Sequence, residues 1–250
     1  MFLTRFPIGR YASGDSEALT QSVRYFPFVG LLVALVMGCV LWLAGTVLPA
    51  TVAVALSVLA GVMITGAFHE DGLADVADSA GAFGIEKKLE IMRDSRVGTY
   101  GALGLILLVL LRFVLLYELT VISIQVTLAA LIVAHASGRW SGAFLMATVE
   151  YARAEAANKV VAQGVDNRIL LACTLMLVAV LILPALLYTF WLYLVLAVVL
   201  LVSAIFAVYF KRAFKGVTGD CLGAANVIVE VSCLMVILAF IVTLQGQSNA

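Results

Sequence analysis

The sequence predicts an all-α fold: a polytopic membrane helix bundle, about seven transmembrane helices in a single domain over residues 1–250, with functional loops on the cytoplasmic face. Three observations carry this. Of the 250 residues 64% are hydrophobic and only 12% charged, far from the balance of a soluble domain. The apolar stretches are long and recurrent, and one bilayer crossing takes about 20 predominantly apolar residues. Strict polar–apolar alternation is absent, which argues for helices and against a membrane barrel.

The crossings are expected at roughly 28–48, 50–68, 100–117, 120–137, 169–189, 191–210 and 225–244. The opening "MFLTRFPIGRYASGD" has a short apolar run and no small-residue cleavage pattern, so the first segment is expected to belong to the mature fold. Arg5, Arg10 and Arg24 precede the first segment. Lys87, Lys88, Arg93 and Arg96 lie between the second and third, Arg139, Arg153, Lys159 and Arg168 between the fourth and fifth, and Lys211, Arg212 and Lys215 between the sixth and seventh. The alternate connections and the tail "QGQSNA" hold no Lys or Arg. The positive-inside rule then makes the basic side cytoplasmic, with the N-terminus inside, the C-terminus outside, and the inner membrane as the expected location. Tyr188, Trp191 and Tyr193 fit an outer aromatic belt. The four cysteines show no metal-ligand spacing, which argues against a zinc site or disulfide framework.

Two polar constellations stand out. In "HEDGLADVADSAGAFG" (69–84), a helix continuing from the second segment would carry Asp71, Asp75 and Asp78 at i, i+4 and i+7, on one narrow face. Small and apolar residues separate the acids, so that face is anionic and carries no cation of its own. It runs into "SAGAFG", a small-residue turn that lets backbone approach a ligand. A plain alternative is a hydrated helix end. Next, "IEKKLEIMRDSRVGTYG" puts Ile85, Leu89 and Met92 on one helical stripe and Glu86, Glu90 and Asp94 on another, as expected of a helix along the cytoplasmic interface. Carboxylates without histidine or thiolate partners form a hard-oxygen environment that suits Mg²⁺. A diphosphate would be repelled by bare aspartates, so a diphosphate ligand here requires a divalent metal.

The second constellation is "KRAFKGVTGDCLGAANVIVE" (211–230). Lys211, Arg212 and Lys215 are either phosphate ligands or ordinary positive-inside anchors. Asp220 is expected just before the seventh helix, whose N-terminus would point free N–H groups at an anion. Glu230 falls inside the span, where a carboxylate needs a partner or a wet cavity. His135 reads as a packed, hydrogen-bonded residue, and Arg112 as either snorkelling or ion-paired.

These motifs, with "TRFPIG", "YFPFVG", "SGRW", "YAR" and "TGDCLGAAN", make nearly the whole chain resemble the cobalamin synthase family, adenosylcobinamide-GDP ribazoletransferase. The resemblance implies an integral membrane enzyme that joins adenosylcobinamide-GDP to α-ribazole or its 5′-phosphate with Mg²⁺ and releases GMP. It places the family's acidic motif on Asp71, Asp75 and Asp78, its "RDSR-GT-G" motif on Arg93, Asp94, Ser95, Arg96 and Gly98, and its Gly-Asp motif on Gly219 and Asp220. The chain departs from the family pattern at Val227, where an acid one turn before Glu230 is expected, leaving Asn226 or Glu230 to serve alone.

On this reading a ribazole hydroxyl attacks the phosphorus nearest the cobinamide. Asp71, Asp75 and Asp78, joined by Asp94, would hold metal on the diphosphate. Arg93, Arg96, Arg139, Arg153, Lys211 and Arg212 would contact phosphate oxygens, with Asp220, Asn226 and Glu230 also on substrate. The base would be His69 or an aspartate free of metal, Asp75 or Asp78. Expected partners are the two substrates and the bilayer, with no nucleic acid; a homo-oligomer is left open. Two competing classes are a CDP-alcohol or prenyl-diphosphate transferase and an ion-coupled transporter. The first lacks its DG-x2-AR and DDxxD patterns here; the second lacks midplane acids on broken helices and an internal repeat.

Overall fold

The computed structural model describes residue 4 and residues 16–152 and 164–248. Ten α-helices are found among them: α1 (Ser16–Ser22), α2 (Phe26–Gly45), α3 (Ala50–Thr65), α4 (Phe68–Ala80), α5 (Ile85–Ile91), α6 (Thr99–Ile122), α7 (Ile124–Thr148), α8 (Asn167–Leu187), α9 (Thr189–Phe214) and α10 (Gly219–Ser248). A 3₁₀ turn, Val23–Tyr25, joins α1 to α2. The seven expected crossings fall on α2, α3, α6, α7, α8, α9 and α10. Among the described residues five segments are long and apolar enough to cross a bilayer: Glu17–Gly45, Thr99–Ile122, Asn167–Leu187, Trp191–Phe214 and Gly219–Gln245. The bent pair α3–α4 makes a sixth.

The polarity is that of a bilayer protein. Leu103, Ile106, Leu107 and Leu110 on α6, Leu171, Leu175 and Ile182 on α8, and Leu200, Leu201 and Ile205 on α9 are all exposed. Such a surface would aggregate in water and is stable against lipid. The chain is a multi-pass membrane protein.

The fourth expected crossing, α7, fails a plain hydropathy test because it carries His135, Ser137, Arg139 and Ser141. It can do so because it sits at the centre, packed on α2, α6, α8, α9 and α10, with nearly every residue from Ala129 to Met146 buried. Small residues let its neighbours come close. A Cβ added at Gly30 of α2 would lie 2.6 Å from the His135 carbonyl carbon and 2.8 Å from Ala136 Cα. At Gly138 it would run into Asn226 and, at 2.8 Å, Glu230 Cγ of α10.

The aspartate stretch does not continue the second segment. The α3 helix ends at Gly66 and Ala67, both left-handed (φ 70° and 60°), whose N–H groups each donate to the Val62 carbonyl at 2.8 and 3.0 Å. The chain turns by 86° and starts α4 afresh, so the acids ride on a separate short helix laid against α10 and α6. The interface helix is also shorter than expected. It stops at Ile91, leaving Asp94 in the turn beyond, while Met92 is buried. At the other end, α10 starts at Gly219, so Asp220 lies within its first turn and not before it.

The basic loops meet at one end. Ala152 N–H donates to the Val217 carbonyl (2.9 Å) and Val217 N–H to the Glu150 carbonyl (2.8 Å), joining the α7–α8 and α9–α10 connections. Lys88 on α5 lies over the Phe214 ring at 5.9 Å. A Gly30→Ala variant should destabilise the bundle by about 1–3 kcal/mol, the usual cost of overpacking. The reading is a lower melting temperature in detergent; an unchanged one would mean that α2 and α7 are less closely docked.

Candidate functional site at the crossing of α4 and α10

Two glycines bring α4 onto α10. A Cβ at Gly72 would lie 2.6 Å from the Asp220 carbonyl oxygen and 2.9 Å from its Cα, and one at Gly223 would lie 3.2 Å from His69 Cα. Backbone therefore touches backbone, which only glycine permits. The consequence is that Asp220, a hundred and more residues away in sequence, stands at the flank of the α4 acidic face. Asp71 is exposed, and Asp75 and Asp220 are half-buried.

Asp78, the third acid of that face, is committed elsewhere. Its carboxylate accepts from the Gly98 N–H at 2.7 Å and the Gly101 N–H at 2.8 Å, capping α6 from a neighbouring helix. Those N–H groups have no partner within α6, and a carboxylate also matches the positive end of its dipole. Asp94 accepts from Arg96 through the guanidinium (2.5–3.1 Å) and the backbone N–H (3.1 Å). The bonds from Arg96 hold its carboxyl well below the usual range, at about 2, so the pair stays ionised at every physiological pH.

Beneath the acids lies a sealed charge network. Arg112 of α6 donates to Glu70 of α4 at 2.8 Å and to Glu230 of α10 at 3.0 Å. The other Glu230 oxygen meets Arg139 and, at 2.9 Å, His135 Nδ1, both from α7. Arg139 is 1% exposed, Glu230 2% and Arg112 3%. So Arg112 and Glu230 are paired, His135 is packed and hydrogen-bonded, and both oxygens of Glu230 are engaged inside the bundle. His69 is buried as well; its Nε2, Arg139 Nε and Asn226 Oδ1 have no hydrogen-bond partner among the described residues. All three residues line a cavity of about 20 Å³ with Phe26, Phe68, Met146 and Leu222, a volume fit for one water and far below that of a nucleotide base.

The remaining cations lie outside. Arg93, Arg96, Lys211 and Arg212 are exposed near the same end; Arg153 lies outside the described residues. Among the described residues no three acidic, His or Cys side chains converge as a preformed metal cage. Mg²⁺ does not demand one: it binds through one or two carboxylates, waters and substrate phosphates. The oxygen-only donors Asp71, Asp75 and Asp220 at one crossing fit that chemistry.

A family model described as cobalamin-5-phosphate synthase matches residues 1–238. The chain belongs to that family. Among its curated relatives, the adenosylcobinamide-GDP ribazoletransferase of Shewanella frigidimarina (strain NCIMB 400) is 41% identical over 244 residues, 95% of this chain and 91% of the relative. The protein of the same name from Shewanella oneidensis is 40% identical over 242 residues, 95% of this chain and 90% of the relative. No solved structure matches. In this member of the cobalamin-5-phosphate synthase family Val227 is 1% exposed, among the apolar residues of α10. An acid there would add one more buried charge to a network whose two carboxylates already balance two arginines.

Sequence reasoning missed Glu70 entirely. The signal was present: it is the one acid in "HEDGLADVAD" off the aspartate face. The capping role of Asp78 had no local signal, because its partners are 20 and 23 residues away. Asp78→Ala should destabilise the protein by about 0.5–2 kcal/mol, the usual loss for a removed cap, and speed amide exchange in the first turn of α6. Unchanged exchange at Gly98 and Gly101 would contradict that role.

Proposed function

We propose that the chain is an adenosylcobinamide-GDP ribazoletransferase, joining that nucleotide-activated corrinoid to α-ribazole or its 5′-phosphate with release of GMP. Its likeness to relatives so named, at 40–41% identity over 95% of its length, carries the reading. On this reading the chemistry takes place at the α4–α10 crossing. Asp71 and Asp75, with Asp220 alongside, would hold Mg²⁺ on the diphosphate; the ion would offset charge building on the departing phosphate.

The protein's own groups do the rest. Exposed Arg93, Arg96, Lys211 and Arg212 face the same end and would draw the anionic substrate in and clamp its phosphate oxygens. Asp78 anchors the start of α6 and with it the "SRVGTYG" turn that borders the acids. The proton of the attacking hydroxyl would pass to an aspartate of this face that is not holding the ion; His69, only 3% exposed, is the less accessible candidate. The joined basic loops support placing this face in the cytoplasm, with the C-terminus of α10 opposite.

Asp75→Asn tests the reading. The variant should insert and melt like the parent, yet lose Mg²⁺-dependent GMP release from adenosylcobinamide-GDP and α-ribazole by on the order of 100-fold or more, the scale on which single electrostatic catalytic groups act. Full turnover in the Asn variant would remove Asp75 from the site. No GMP release by the parent protein at any Mg²⁺ concentration would overturn the function itself.

A further inference from the structure

Five ionisable side chains from four helices are buried together: Glu70, Arg112, His135, Arg139 and Glu230. Stability alone does not explain them. Replacing a buried ion pair by apolar side chains of similar size is often neutral or stabilising, because desolvation offsets the attraction. Such groups are better explained by what their directionality fixes, and the geometry shows what that is.

The polar anchors of α4 lie at its two ends: Asp78 bonds to the start of α6 near the C-terminus, and Glu70 is the charged anchor at the N-terminal end, beside Asp71. The helix is 13 residues long, follows two left-handed residues and an 86° bend, and so inherits no direction from α3. Gly72 and Gly223 fix how deeply it sits against α10 but, lacking side chains, grip no angle about its own axis. At about 100° per residue, a slip of one position would swing its acidic face away from Asp220. Glu70, directly before Asp71, reaches from α4 into the core to a charged partner, and that partner is a fork. One arm of Arg112 takes Glu70 at 2.8 Å and the other takes Glu230 of α10 at 3.0 Å. The planar guanidinium thus ties α4 to α10 at a defined angle, whereas an ammonium would give a point charge.

We propose that Arg112 is a positioning residue: bridging Glu70 and Glu230, it sets the rotation of the N-terminal part of α4 and hence how Asp71 and Asp75 are presented beside the start of α10. Its catalytic consequence rests on the function proposed above; its geometric one does not.

The test separates geometry from stability. In a Cys39→Ser background, spin labels at Ala80→Cys and Lys215→Cys, both exposed, report the distance from α4 to the α9–α10 turn. The key variant pairs Glu70→Met with Arg112→Met, removing one charge of each sign and leaving Glu230 with Arg139 and His135. It should melt at or above the parent temperature, yet give a broadened or shifted distance distribution. The Mg²⁺ concentration for half-maximal GMP release should rise about 10-fold, the lower end of what losing a ligand-orienting partner costs, with KM for α-ribazole unchanged. Parent-like distances and an unchanged Mg²⁺ requirement in the stable double variant would overturn the proposal. If that variant fails to fold, Arg112→Lys, which keeps the charge and loses the fork, is decided by the same two readings. Should the parent release no GMP, the functional reading falls, and the distance distributions alone still decide the role of Arg112.

Discussion

A carboxylate buried in an apolar bundle must be paired, and Glu230 is the carboxylate around which this molecule is arranged. One of its oxygens is held by Arg112, the other by Arg139 and His135, so that α6, α7 and α10 converge on a single group. Glu70 brings α4 to the same point. Two glutamates balance two arginines, and all four side chains are buried within the bundle. Removing one partner would strand a charge, whereas removing a balanced pair need not.

That constraint explains where the helices go. A segment bearing Arg139 and His135 cannot face hydrocarbon, so α7 becomes the central helix and its small residues admit α2 and α10 at close range. The apolar helices α6, α8 and α9 present leucine and isoleucine outward. The acids of α4 are then set at the rim of the bundle, near the end where the basic loops are tied together, and the anionic and cationic groups of the proposed diphosphate site come from segments far apart in the chain.

Much of this was legible in the sequence. Seven apolar segments, the one-sided cations and the "HEDGLADVADSAGAFG" and "TGDCLGAAN" motifs gave the helical membrane fold and the family. The pairing of Glu230 and the packing of His135 followed from the cost of polar groups in hydrocarbon. What was hidden is relational. Nothing local announces that Gly66 and Ala67 both turn left-handed, since alanine rarely does so, and the resulting bend detaches the aspartates from α3. Helical periodicity gave Asp71, Asp75 and Asp78 one shared face. It could not reveal that Asp78 caps α6 or that Asp220 lies beside Gly72, because both are contacts between elements. Arg139 read as a loop cation available to phosphate and Glu230 as a carboxylate in need of a partner; the structure puts Arg139 inside α7 and pairs the two, while Arg93, Arg96, Lys211 and Arg212 are exposed.

The account stands or falls on where the dication sits. A structure of the protein in lipid with Mg²⁺ and a non-hydrolysable diphosphate analogue of the corrinoid nucleotide measures this directly. The ion should lie between the diphosphate and Asp71 and Asp75, with Asp220 at the same crossing and the Glu230 network unchanged beneath. Metal bound at any other group, or a diphosphate seated away from the α4–α10 crossing, would contradict it.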